Sequence, residues 1–348
     1  MQLAIIIYCG MLLTFTALPL IKHDYWVFRV FDYPRLQKLF LNAVAVTLLL
    51  FCYNGSVTLK YALLAAIVIN IIHLLWLILP FTRLGKRQVL RAGLKDPLRS
   101  ISIVIANVFQ DNTNSKGCLR VIANANPDVV VLLETNERWD QETRSLKENY
   151  PYFKRVPLEN TYGLLLYSKL KLIDTEVKYL VELGIPSIHT LLELRNGQMI
   201  QFYAVHPTPP VPTENVRSTE RDKELLLVAD LAKASKLPVI TAGDLNDVAW
   251  SHTTELFLKM SGLLDPRRGR GFYNSFHAHY FFIRFPLDHA FISRHFKLIK
   301  IKRLENSKSD HFPIYLEVQL ENDAYEQQEP LVADAEDKEE AQEKKEKI

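Results

Sequence analysis

Hydrophobic patterning divides this chain into two regimes. Up to residue 82 the apolar positions run on almost unbroken: Leu3–Ile21 and Leu39–Leu59 hold no charged residue, and Tyr61–Thr82 has only His73 as an ionisable interruption. Each run is near the roughly 20 residues that a helix needs to cross a hydrocarbon core of about 30 Å. The first run lacks the basic flank of a cleaved leader, and two similar runs follow it, so the pattern predicts three transmembrane helices within residues 1–82. From Ile101 the pattern changes to short β-rich runs: Ile101–Val108, Val129–Leu133, Gly163–Tyr167, His189–Leu194, Gln201–Val205, Val239–Ala242, Leu287–Ile292 and Ile314–Val318. Helical stretches lie between several of them, at Lys116–Ala125, Glu137–Asn149, Thr219–Ser235 and Ser251–Ser261. Asn196-Gly197 is a hairpin signal, and Asn126-Pro127-Asp128 stops one helix and launches a strand. Strands alternating with helices predict an α/β domain whose sheet layers are covered by helices.

Composition and charge add boundaries to this picture. The 348 residues are 48% apolar, enough for one large domain with a sizeable core plus an appendage. Two of the three cysteines, Cys9 and Cys52, fall in the apolar runs, which argues against a disulfide framework. The net charge of +3 hides an asymmetry, because residues 321–348 hold eleven acids and four lysines and so leave residues 1–320 basic. That acidic tail is expected to be disordered or weakly helical. Residues 83–99 read as a basic juxtamembrane linker, and residues 100–320 as the catalytic domain. Lys22, Arg29, Arg35 and Lys38 mark the first connection between spans, whereas the second has only Lys60 at its edge. The positive-inside rule then predicts a multi-pass membrane protein with its catalytic domain in the cytoplasm. Trp26, Tyr33 and Trp76 suit interfacial anchoring.

The polar motifs that carry chemistry follow apolar runs, where buried strands surface. Glu134 ends Val129–Leu133, and a carboxylate there is costly unless a cation or hydrogen bonds compensate it. Mg²⁺ suits it, because that ion prefers oxygen ligands and binds through one or two carboxylates plus substrate phosphate. In Ala242-Gly243-Asp244-Leu245-Asn246, a glycine permits close backbone approach and, if the strand continues, Asp244 and Asn246 project to one side. One could position water while the other donates to a phosphoryl oxygen. An Asx-turn capping the next helix is the plainer use of such residues. In Ser309-Asp310-His311, neighbouring Asp and His point to opposite sides of an extended chain, so the acid that orients His311 should lie elsewhere. Asp288 is the best candidate. His206 follows a strand and is held by Pro207, Pro209 and Pro210, while Asn107 ends the first strand. Arg267, Arg268 and Arg270 with the aromatic run from Phe272 to Phe282 form a basic, aromatic segment suited to nucleic acid or to a phospholipid headgroup. His277 and His279 lack a third ligand and read as ordinary loop residues.

Read in order, Asn107, Glu134, His206, Asp244-Leu245-Asn246 and Ser309-Asp310-His311 resemble the endonuclease/exonuclease/phosphatase superfamily over residues 100–320. The resemblance implies a four-layer α/β sandwich with two central mixed β-sheets flanked by helices, here preceded by the three spans. It implies Mg²⁺, with Mn²⁺ as an alternative, held by Asn107, Glu134 and Asp310. His206, Asp244, Asn246, Asp288 and His311 would be catalytic, and Asn107, Arg221 and Arg268 would contact substrate. Leu133 stands where the family usually has Gln, and no acid partner for His206 is evident. The expected activity is hydrolysis of a phosphodiester in nucleic acid or a lipid headgroup by in-line attack of water. A phosphomonoesterase of inositol-phosphate type and a catalytically silent docking module are the alternatives, and no protein partner is predicted.

Overall fold

A computed structural model describes residues 1–347. The polar two-thirds of the chain folds as two facing β-sheets. The first contains β1 (Ser100–Asn107), β2 (Val129–Leu133), β3 (Tyr152–Val156), β4 (Leu164–Ser168), β10 (Phe296–Arg303) and β11 (Ile314–Leu320), in the order β10-β11-β1-β2-β4-β3. The second contains β5 (Lys171–Lys178), β6 (Ser187–Glu193), β7 (Met199–Val205), β8 (Val239–Asp244) and β9 (Asp288–Ile292), in sequence order. Both sheets are mixed, with β1–β2 and β7–β8 parallel and the other pairs antiparallel.

Alternation along the strands builds the layers. Ile101, Ile103 and Ile105 face the second sheet and share a core with Ile200, Phe202, Ile240 and Ile292. Val104 and Ala106 face the other way, under α5 (Ser115–Ala125) and Trp139 of α6 (Glu137–Glu142). On the outer face of the second sheet, Tyr203, Val205 and Phe291 pack under α7 (Thr219–Ala234) and α8 (His252–Ser261). This is the helix–sheet–sheet–helix arrangement expected for the domain. The Asn196-Gly197 turn joins β6 to β7, with Gly197 at φ 82°.

Three strands escape sequence reading, β3, β5 and β10, and all three are sheet edges. Their polar, Lys-bearing sequences, such as Phe-Lys-Leu-Ile-Lys-Ile-Lys-Arg in β10, suit an edge that must resist pairing with another chain. The basic linker is no free spacer. It lies along β10, with Ala92 N–H donating to Leu298 O at 2.9 Å and Leu298 N–H donating to Leu90 O at 2.8 Å.

The apolar N-terminal region forms α1 (Gln2–Ala17), a short α2 (Trp26–Val30), α3 (Arg35–Phe51) and α4 (Val57–Ile78). Two helices, Gln2–Leu20 and Val57–Phe81, are long and apolar enough to cross a membrane. The expectation of three such spans is corrected in the middle. The apolar run Leu39–Leu59 is split where α3 ends at Phe51 and Ser56 caps α4, so its last residues belong to the next helix. With 17 residues, α3 rises only about 26 Å, and its first turns are polar. Arg35 pairs with Asp32 at 2.7 Å, Lys38 Nζ donates to Phe15 O at 3.2 Å, and Asn70 donates to Asn42 at 2.9 Å.

Of the two expectations for the C-terminal segment, the structure has the helical one: it forms α9 (Ala324–Gln327) and α10 (Ala335–Glu346), the latter opened by an Asp334/Asp337 capping box. Ion pairs hold α10 on α7, α8 and the first connection: Lys344–Asp222 at 2.6 Å, Lys259–Asp337 at 3.1 Å, and Lys22 to Glu336 at 2.6 Å. A composition too polar to build a core has found partners of opposite charge on a folded surface.

Candidate active site

Strand register brings the polar motifs to one edge of the sandwich. Asn107 pairs with Leu133 at the ends of parallel β1 and β2, so Glu134 emerges beside it. Val205 pairs with Gly243 at the ends of β7 and β8, and Asp244 pairs with Asp288 across β8 and β9. The loop before β11 returns to the end of β1, where Ser309 Oγ donates to Asn107 O at 2.8 Å and accepts from His311 N–H at 3.0 Å.

Gly243 permits this closure. A Cβ built on it would lie 1.8 Å from the Val205 carbonyl oxygen, a backbone atom that cannot rotate away. Gly243→Ala is therefore expected to destabilise the domain by about 2 kcal/mol or more, read as a lower denaturant midpoint. An unchanged midpoint would show that β7 and β8 can separate at no cost.

The side chains form a continuous line. Asp288 Oδ2 accepts from His311 Nδ1 at 2.7 Å, and His311 Nε2 lies 3.6 Å from Asp244 Oδ2. Asn107 Nδ2 donates to that same Asp244 oxygen at 3.1 Å and to Glu134 Oε1 at 2.7 Å. Asn246 N–H donates to Asp244 Oδ1 at 2.9 Å. Glu134 and Asn246 both occupy the left-handed region, at φ 58° and 50°, and such backbone costs on the order of 1–3 kcal/mol per residue. The surrounding contacts hold that strain at the pocket.

Burial and charge set the protonation states. Burial alone would discharge the His311 imidazolium, but the carboxylates of Asp288 and Asp244 outweigh it and lift its pKa to about 10. Burial raises Asp244, and the neighbouring Asp288 charge adds to this. His206 goes the other way, lowered to about 4 by burial. Its Nδ1 is buried without a hydrogen-bond partner, and its ring lies 5.2 Å from that of Tyr162. Among the described residues no acid is hydrogen-bonded to it.

Glu134 is a buried carboxylate of the site that a cation would compensate. Burial raises it to about 7, against the opposing pull of the Asn107 amide and His311, and the Asp310 charge pushes it further up. An oxygen-rich pair, Glu134 with Asp310 nearby, suits a hard divalent ion. Beside them, Asn107 Oδ1 accepts from Phe109 N–H at 3.1 Å and its Nδ2 faces the two carboxylates of Glu134 and Asp244. Its place is that of a spacer between Glu134 and Asp244. Asp244, Asp288 and His311 also present ligand atoms within 4.8 Å of one another. In that trio the His311 ring is bonded to Asp288 through Nδ1.

Two expected substrate contacts lie elsewhere. Arg221 is buried behind the pocket, bonded to Asp222 at 2.9 Å, and donates to Asn246 O at 2.9 Å. Its guanidinium supports the loop after Asp244 from behind. Arg268 stacks over Phe81, 5.3 Å from the ring centroid, and faces Glu255, so it serves the junction with α4. Asn246 Nδ2 is committed to Pro207 O at 2.9 Å, linking the ends of β7 and β8.

Sequence reading missed how the first connection braces the site. Tyr33 OH donates to Asn246 O at 2.9 Å and its ring packs edge-on against Phe285, so Tyr33 is a brace and not an interfacial anchor. Trp250 Nε1–H donates to Asp32 O at 2.9 Å. These contacts span more than 200 residues, and no local pattern announces them.

The model of the Endonuclease/Exonuclease/phosphatase family matches residues 105–311, from the end of β1 to His311. Among solved structures, zebrafish (D. rerio) TDP2 complexed with single strand DNA product is similar at a TM-score of 0.53 and 18% identity, covering 63% of this chain and 99% of that one. The human Nocturnin catalytic domain with bound sulfate gives 0.51 and 18%, over 65% and 97% of the two chains. The endonuclease/exonuclease/phosphatase from Bacteroides vulgatus gives 0.53 and 16%, over 64% and 99%. No curated protein matches by sequence. At these identities the structural likeness concerns the fold alone, while the family match takes in more than half of the chain and every strand end that lines the pocket. This chain belongs to the Endonuclease/Exonuclease/phosphatase family.

Proposed function

We propose that this protein is a membrane-anchored, Mg²⁺-dependent phosphoesterase that hydrolyses a phosphodiester by in-line attack of water. The observation that carries this reading is the unbroken line Asp288–His311–Asp244–Asn107–Glu134 at one sheet edge. Its chemistry divides between the two ends. Asp288 fixes the His311 ring, and the resulting imidazolium stabilises negative charge building on a phosphoryl oxygen. Asp244 accepts a proton from the attacking water as the new P–O bond forms and the bond to the leaving oxygen breaks. His206 is neutral and offers hydrogen bonding without charge. A divalent ion held by Glu134 and Asp310 would polarise the phosphoryl group.

Anchoring is supported by the two long apolar helices and by outward-facing side chains such as Ile7, Val68, Ile69 and Ile72. The basic first connection and linker favour a cytoplasmic catalytic unit. Full-length protein in detergent should turn over bis(4-nitrophenyl) phosphate with Mg²⁺ and stop on chelation. Asp244→Asn should lower that turnover by about 10²-fold or more without a change in the unfolding transition. Turnover indifferent to both treatments would reject these roles.

A further inference from the structure

Between Ser275 and Phe285 the chain leaves the pocket and returns to it as a narrow loop whose base belongs to the site. Phe276 and Phe285 exchange backbone hydrogen bonds, and Ala278 N–H donates to Asp310 O at 2.6 Å. The Phe276 ring lies 5.0 Å from the His311 ring. The far end is apolar and faces outward: Tyr280, Phe281, Phe282 and Ile283 are 58%, 71%, 80% and 51% exposed. Four consecutive large apolar side chains in water mark a surface made for another apolar phase.

The position of the tip identifies that phase. Gln37 Nε2, in the first turn of α3, donates to Phe282 O at 2.6 Å. Phe40, about 4.5 Å further along the same helix, is also exposed. Lys38 Nζ on Phe15 O brings the end of α1 to this level, and the matching end of α4 carries exposed Trp76. The loop tip is thus continuous with the apolar exterior of the helical unit at the end nearest the catalytic domain. Arg284 stacks over Phe281 and Phe312, 5.2 and 5.0 Å from the ring centroids, placing a cation between the aromatic tip and the pocket. Aromatic rings with a basic neighbour favour the headgroup level of a bilayer.

We propose that residues 277–284 form an interfacial hairpin that dips into the leaflet carrying the chain's own helices, and that the pocket takes the headgroup phosphodiester of a lipid in that leaflet. This rests on the phosphoesterase reading above. The test compares full-length protein with Phe281→Ser/Phe282→Ser, both reconstituted in liposomes of phosphatidylcholine, phosphatidylethanolamine and phosphatidylglycerol. Headgroup release by the variant should fall at least tenfold, with turnover of soluble bis(4-nitrophenyl) phosphate kept within twofold. An equal loss on both substrates, no loss on lipid, or preferential cleavage of a single-stranded oligonucleotide would overturn the proposal. Insertion is read separately from catalysis by an NBD fluorophore on Phe282→Cys, which doxyl-labelled lipids should quench; absence of quenching also overturns it. If the parent protein hydrolyses no diester at all, the phosphoesterase reading fails, while quenching still decides whether the hairpin enters the bilayer.

Discussion

Replacing His311 by glutamine is expected to lower turnover by about 10³-fold, within the range of a positioned acid–base group, and replacing Asp288 by asparagine should alter the pH profile as well. The two carboxylates hold the imidazolium against burial, with a pKa of about 10. Activity that needs this cation should therefore persist through neutral pH and fall only as pH rises toward 10. Removing the Asp288 charge takes away the larger of the two attractions, so the alkaline limb should move toward neutrality. The sign for stability is the same. A histidine raised from an ordinary 6.5 to about 10 contributes its full stabilisation below pH 6.5 and loses it between there and about 10. Parent and Asp288→Asn proteins sharing one alkaline limb would mean that His311 acts unprotonated.

Divalent cations should stabilise the protein in a pH-dependent way through Glu134. Burial lifts this carboxyl from an ordinary 4.5 to about 7, so the folded state prefers it protonated. Without cation, stability should fall as pH rises from 4.5 to 7, by on the order of 3 kcal/mol. Bound Mg²⁺ offsets that cost, so its effect on the melting temperature should be small at pH 5 and largest above pH 7. Glu134→Gln should remove the response and melt higher than the parent at pH 8 without metal. Thermal scans with Mg²⁺ or chelator at the two pH values decide the matter, and an equal shift in parent and variant would place the ion elsewhere.

The sandwich and the line of site residues were legible in the sequence because both depend on local rules. Val129–Leu133 is apolar on both sides and could only be a buried strand, and Glu134 had to surface at its end. The Asp288–His311 pair followed from the geometry of an extended Ser-Asp-His segment, and it forms at 2.7 Å. What stayed hidden depends on partners far away in the chain. Edge strands such as β5 alternate too weakly to stand out, α10 looks like a solvated tail until Asp222 and Lys259 are brought beneath it, and the guanidinium of Arg221 turned out to be enclosed by Asp222 and Asn246 O. The run Leu39–Leu59 misled because hydropathy does not register the turn at Asn54-Gly55-Ser56.

The carbonyl of Asn246 is gripped from both ends of the chain, directly by Tyr33 and through Arg221 and Asp222 by Lys344 on α10. During biosynthesis the helical unit therefore emerges from the ribosome first, but the loop beneath Asp244 gains its last support only after residue 344 is made. A nascent chain would complete its helical unit long before that loop is fully braced.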